Sequence, residues 1–259
     1  RQIAAASSRL LITRLSKLSG SGSDSLESQL QRLGSGIGVH EYALGDNKAT
    51  VRINSVQHNV PAWAIFGMFF IVVPVSGQIV RERDQGSMLR IRLIPGAERG
   101  IGIGRILFYA LIACLQFLAM CAVGRWLLPT MNLPALTFGL HPFMLAPVVI
   151  ATGLCATAYG YCLGMCFRSG IQALSFGAIS IVILSALGGI WIPVELLPQS
   201  LQNLAQVSPL HWSLSGVQAV MLRDLGWNGV WMPTTILCLL AMILWGVGLM
   251  FRAKDGKGN

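Results

Sequence analysis

IVRERDQGSMLRIRLIPGAERG, residues 79–100, interrupts two long apolar runs. It holds five arginines and three acids, a Gly-Ser pair at 86–87 and a Pro-Gly stop at 95–96. Met88, Ile91 and Ile94 recur three apart, with Leu89 and Leu93 beside them, while Arg83, Arg90 and Arg92 take other positions. That spacing predicts a short amphipathic helix near a membrane surface, ended by Pro95–Gly96. A plain positive anchor needs only cations. The added Glu82, Asp84 and Glu98 suit a surface complementary to a protein partner.

The flanking sequence decides the class. Of 259 residues, 54% are apolar and only 11% charged, with a mean hydropathy of +0.64. Soluble domains are about one quarter charged, so this is the composition of a membrane protein. About 20 apolar residues cross a hydrocarbon core. Five runs qualify, at 60–80, 106–124, 142–167, 171–192 and 230–251. The expected fold is an all-α polytopic membrane protein. Pro74 lies inside the first run, where a kink is tolerated if neighbouring helices satisfy the freed carbonyl.

Arginines and lysines set the orientation. The loop 81–105, the turn at Arg168 and the tail beyond Phe251 carry ten, against one each in 125–141 and 193–229. The arginine-rich side is therefore expected in the cytoplasm, together with the C-terminus and the tail 253–259, in a multi-pass cytoplasmic-membrane protein. The same bias explains the net charge of +9 without a nucleic-acid partner. Residues 1–59 then fall outside. They hold no apolar run able to carry them across, so a further helix is expected upstream of Arg1.

The outer segment is expected to be a small α/β remnant of an extracytoplasmic domain. Leucines at 10, 11, 15 and 18 have near-helical spacing, 19–25 is a Gly/Ser linker, and Asp24 with Glu27 suggests a capping box. TVRINSV at 50–56 alternates like a short strand.

Two further patterns lie beyond the first span. Leu197, Leu201, Leu204 and Val207 give one apolar face between Pro198 and Pro209, expected to lie in the interface or dip into the membrane. Trp191, Trp212, Trp227 and Trp231 flank it as an aromatic belt, with Glu195, His211 and Asp224 at the rim. Ala156, Gly160 and Gly164 form a small-residue ridge suited to close helix packing. The six cysteines all lie in apolar runs without a CxxC pair or a nearby histidine, and are expected to pack rather than bind metal. Gly100, Gly102 and Gly104 lack the strand that a dinucleotide fingerprint requires.

Ion-driven carriers place ionisable groups inside their spans, and between the span ends given above this chain has none. It also contains no G-x-x-x-x-G-K-[ST] phosphate loop. A transporter of this composition must take its power from another chain.

RERDQGSMLRIRLIPGAERGIGIGRILFY resembles the coupling segment of type-2 ATP-binding-cassette (ABC) exporter permeases. Glu82, Gly86, Ser87, Leu89, Pro95, Gly104, Arg105 and Tyr109 match that pattern, with Asp84 where Glu is common and Arg105 where Lys is common. GGIWIPVELLPQSLQNLAQVSPLHWSLSGVQAVMLRD at 188–224 is similar to the family's last outer loop. NSVQHNVPAW at 54–63 is similar to the entry into the second span in the drug- and lipid-exporting branch, which has a large extracytoplasmic domain after the first helix.

The resemblance implies that the five spans are helices two to six of six. It implies a non-catalytic permease subunit without cofactors of its own, ATP and Mg being held by a partner ATPase. Glu82, Arg83, Gly86, Ser87, Arg90 and Pro95 would couple to that ATPase, and Glu195, Pro198, Pro209 and Trp212 would form an outer gate. A second permease chain, identical or not, and membrane lipids would complete the assembly, with room for a periplasmic adaptor. The implied activity is export of an amphipathic or hydrophobic substrate. A lipid-modifying membrane enzyme built on His211, Glu195 and Asp224 stays open at this point, as does a membrane scaffold.

Overall fold

The computed structural model describes residues 55–86, 97–194 and 197–255. The expected elements within 1–54, and the amphipathic helix over 88–94, lie outside them. Eight helices carry the fold of the described residues. They are α1 Ser55–Phe69, α2 Val72–Asp84, α3 Ala97–Ala122, α4 Leu145–Cys166, α5 Gly170–Leu187, α6 Gln199–Ala205, α7 Pro209–Met221 and α8 Gly226–Asp255. Among the described residues, five stretches are long and apolar enough to cross a membrane: Val56–Asp84, Gly100–Thr130, Pro142–Cys166, Gly170–Leu187 and Gly226–Phe251. The expected all-α polytopic architecture is met. Ser55 and Val56 open α1 and do not end a strand, so the strand expected over 50–56 is corrected at these residues.

The first span is broken at Phe70–Ile71, and Pro74 is the reason. Its ring excludes the carbonyl four residues earlier and its nitrogen cannot donate to it. That carbonyl belongs to Phe70, which instead accepts from Val73 at 3.1 Å in a tighter turn. The fourth span is shorter than the expected 171–192. α5 ends at Leu187, and Gly189 at φ +84 turns the chain away, a conformation open to glycine without strain.

α4 is the central helix, packed against α2, α3 and α8. Its small residues let these neighbours approach. A Cβ on Gly160 would stand 3.0 Å from the Val72 Cα, and one on Gly164 would stand 2.8 Å from the Ile79 Cβ. Ala156, one turn earlier, is wholly buried. Replacing Gly164 by valine is expected to force α2 off α4 and cost about 1–3 kcal/mol. A lowered unfolding midpoint in detergent would register it. Gly246→Ala, where an added Cβ meets nothing within 4 Å, serves as the unaffected control.

The far end of α3 winds into a π-helical turn, Val123–Leu127, and continues to Thr130. In that turn Leu128 donates to the Val123 carbonyl. The next donor in the series would be Pro129, which has no N–H. The Gly124 carbonyl left over accepts from the Leu136 amide at 3.0 Å, and the Arg125 Nη1 donates to the Leu136 carbonyl at 3.3 Å. Leu136, fully buried, is thereby fixed under the following loop.

Candidate functional site

The connection 87–96 leaves from α2 and returns into α3, so the ends of those helices frame it. α2 runs through Asp84 and places Arg81, Glu82, Arg83 and Asp84 in its last turn. Gln85 and Gly86 then donate to the Arg81 and Arg83 carbonyls, each at 3.0 Å, and Gly86 at φ +69 takes the left-handed conformation that closes helices.

Two side-chain ladders meet across the gap between α2 and α3. Gln78 and Glu82 are one turn apart on α2, and Arg105 and Tyr109 are one turn apart on α3. Gln78 Nε2 donates to Glu82 Oε1 at 3.1 Å, the Tyr109 hydroxyl donates to Gln78 Oε1, and Arg105 pairs with Glu82 Oε2. The Arg105 side chain is 9% exposed and that of Glu82 is 21% exposed. This is therefore a largely desolvated pair, whose rupture costs more than that of a surface pair. Beside it a groove of about 360 Å³ is lined by Gln78, Glu82, Ile101, Arg105, Phe108 and Tyr109, with Gly104 at its lip.

Arg83 points the other way. Its guanidinium donates to the carbonyls of Phe167 at 3.0 Å, Gly164 at 3.2 Å and Met165 at 3.4 Å. These are last-turn and capping carbonyls of α4, which lack intrahelical donors and carry the negative end of the helix dipole. Neighbouring residues on α2 thus tie it to two different helices. Ser87, Arg90 and Pro95 lie outside the described residues.

At the opposite end of the bundle Pro198 caps α6 and Pro209 opens α7. Trp212 donates from Nε1 to the Gln206 carbonyl at 2.7 Å, holding the two helices at their junction. Leu204 in α6 and Val207 just beyond it are 51% and 72% exposed, whereas Leu197 and Leu201 are half-buried, so the apolar face is only partly covered by the chain itself. Glu195 lies outside the described residues. The Asp224 carboxylate accepts the Leu140 amide at 2.7 Å and so closes a loop.

α7 lies within 193–229, the segment expected as a re-entrant or interfacial outer loop, and it buries Leu210, Ser213, Leu214, Val217 and Val220. At 13 residues it is about 20 Å long, too short to cross. An aromatic cluster was unforeseen. Trp63 lies 5.5 Å from Phe66 and 6.0 Å from Trp191, and Phe66 lies 4.9 Å from Phe70. Trp63 and Phe66 on α1, with Phe70 just beyond its end, follow a three- to four-residue period, a detectable sequence signal. Trp191 could not be assigned to the cluster that way.

Residues 5–250 match the family described as ABC-2 family transporter protein. The chain is 21% identical over 214 residues to the linearmycin resistance permease protein LnrN of Bacillus subtilis, covering 82% of this chain and 53% of that protein. It is 24% identical over 189 residues to the probable multidrug ABC transporter permease YbhR of Escherichia coli K12, covering 71% and 49%. The chain thus spans about half the length of the curated relatives it matches.

Proposed function

The chain belongs to the ABC-2 family of transporter proteins, and from that membership we propose that it serves as the membrane-spanning permease subunit of an ABC exporter. The observation that carries this is the family match over 5–250, which runs through the five candidate spans almost end to end. The substrate is amphipathic or hydrophobic, a choice supported by the names of LnrN, a linearmycin resistance permease, and YbhR, a probable multidrug transporter permease. ATP is bound with Mg and hydrolysed on a separate cytoplasmic ATPase, and a second permease chain completes the pathway.

In this reading the connection end of α2 and α3 faces the cytoplasm, as does the C-terminus, and 1–59 is extracytoplasmic. The arginine asymmetry supports that orientation. The segment 81–105 receives the ATPase through Glu82, Arg83, Gly86, Ser87, Arg90 and Pro95. Closure of the ATPase pair tilts the spans and alternates access between the two faces. The segment 193–229 forms the outer gate around Glu195, Pro198, Pro209 and Trp212, where a periplasmic adaptor can dock.

Co-purification tests the assignment. The partner ATPase is expected to remain bound in detergent and to hydrolyse ATP faster with the permease present. Reconstituted vesicles that moved substrate without that ATPase would overturn the proposal. Charge reversal at Arg90 is expected to lower substrate moved per ATP hydrolysed while leaving insertion intact. Transport at the parent rate by Arg90→Glu would remove Arg90 from the coupling surface.

A further inference from the structure

We propose that the groove between α2 and α3 is a binding site for the headgroup of a zwitterionic phospholipid. The argument begins with Arg105. Among the described residues its one partner is Glu82, reached through a single nitrogen, although a guanidinium carries five N–H donors in a planar fork. With the side chain 9% exposed, bulk water reaches little of it. A guanidinium that lines the groove and has donors left over is suited to a doubly accepting phosphodiester, whose two free oxygens match the fork.

Charge balance selects the headgroup. Glu82 and Arg105 together are neutral, and Gln78 and Tyr109 add dipoles but no charge. A headgroup with phosphate and ammonium meets both members of the pair, phosphate on Arg105 and ammonium on Glu82. A net-anionic headgroup would leave Glu82 facing its own sign.

The groove's shape and position fit a lipid. Its volume of about 360 Å³ suits a small headgroup, and Ile101 and Phe108 at its walls are exposed apolar side chains. Leu107 and Leu111 continue that exposed surface along α3, within a candidate span, where acyl chains would lie. A Cβ on Gly104 would meet nothing within 4 Å, so the lip is open.

Lipid binding to the full chain in detergent tests this without any transport step. The protein is titrated with dioleoyl phosphatidylethanolamine, dioleoyl phosphatidylglycerol or inorganic phosphate, and adducts are counted by native mass spectrometry. One saturable phosphatidylethanolamine adduct per chain is expected, at least about tenfold tighter than phosphatidylglycerol, with none from phosphate. Gly104→Leu fills the lip while leaving the Glu82–Arg105 pair in place, and Arg105→Gln removes the phosphate donor. Each is expected to weaken the adduct at least about tenfold. Should Arg105→Gln fail to fold, Gly104→Leu decides alone. An undiminished adduct in Gly104→Leu, equal binding of both lipids, or phosphate as an effective ligand would each overturn the proposal.

Discussion

Replacing Glu82 by lysine is expected to destabilise the bundle by about 3–5 kcal/mol, the cost of leaving a desolvated guanidinium facing its own sign. The change removes the acceptor of both Arg105 and Gln78, and the Gln78 amide then has only Tyr109 to hold it. The single substitution Arg105→Glu is expected to cost a similar amount. The double exchange Glu82→Lys with Arg105→Glu restores opposite signs across the same gap and should recover more than half of the loss. Thermal unfolding of the four proteins in one detergent checks this as a double-mutant cycle. If Glu82 acted only as a contact for another chain, Glu82→Lys would unfold at the parent temperature. Because the pair joins the two helices that flank 87–96, it also ties together the elements that lead into and out of that segment, whatever partner the segment meets.

The sequence exposed the spans because membrane crossing demands apolar length, and length is visible in one dimension. Its small-residue period also pointed to α4 as a close-packing helix, though Val72 and Ile79 as the residues opposite are known only from the fold. Elements that lack such length were harder. In α7 His211 and Gln218 dilute the hydropathy, yet Leu210, Leu214, Val217 and Met221 recur at four, three and four residues. The break at Phe70 was legible in principle, since Pro74 marks the carbonyl it disables, but a kink placed only at the proline itself misses it by a turn. The hook at Gly124 was not legible. It depends on a π-helical turn that brings a carbonyl opposite Pro129, and no residue pattern announces that register. The same limit applies to the charged turn. Glu82 and Arg83 stood out as charges beside a partner-facing segment, whereas their intrachain partners lie on other helices, 23 residues away for Arg105 and 84 for the Phe167 carbonyl.

Arg83 carries the second large effect. Arg83→Met keeps the length and apolar stem of the side chain but leaves the carbonyls of Gly164, Met165 and Phe167 without their donor. Charge-assisted bonds at a helix C-terminus make this an expected loss of about 2–4 kcal/mol. Arg83→Lys keeps the charge but not the fork, so it can reach one or two of those carbonyls and should recover about half. Amide hydrogen exchange would localise the damage, with faster exchange expected in the last turn of α4 and little change at the start of α3. The combination with Glu82→Lys is informative because both residues hang from one turn of α2. Once either tie is cut that turn frays, and the second tie has less left to hold. The double variant is therefore expected to lose less stability than the two singles added together. Strict additivity would mean that α2 stays rigid to Asp84 without either contact, and the two residues would then act on α3 and α4 independently.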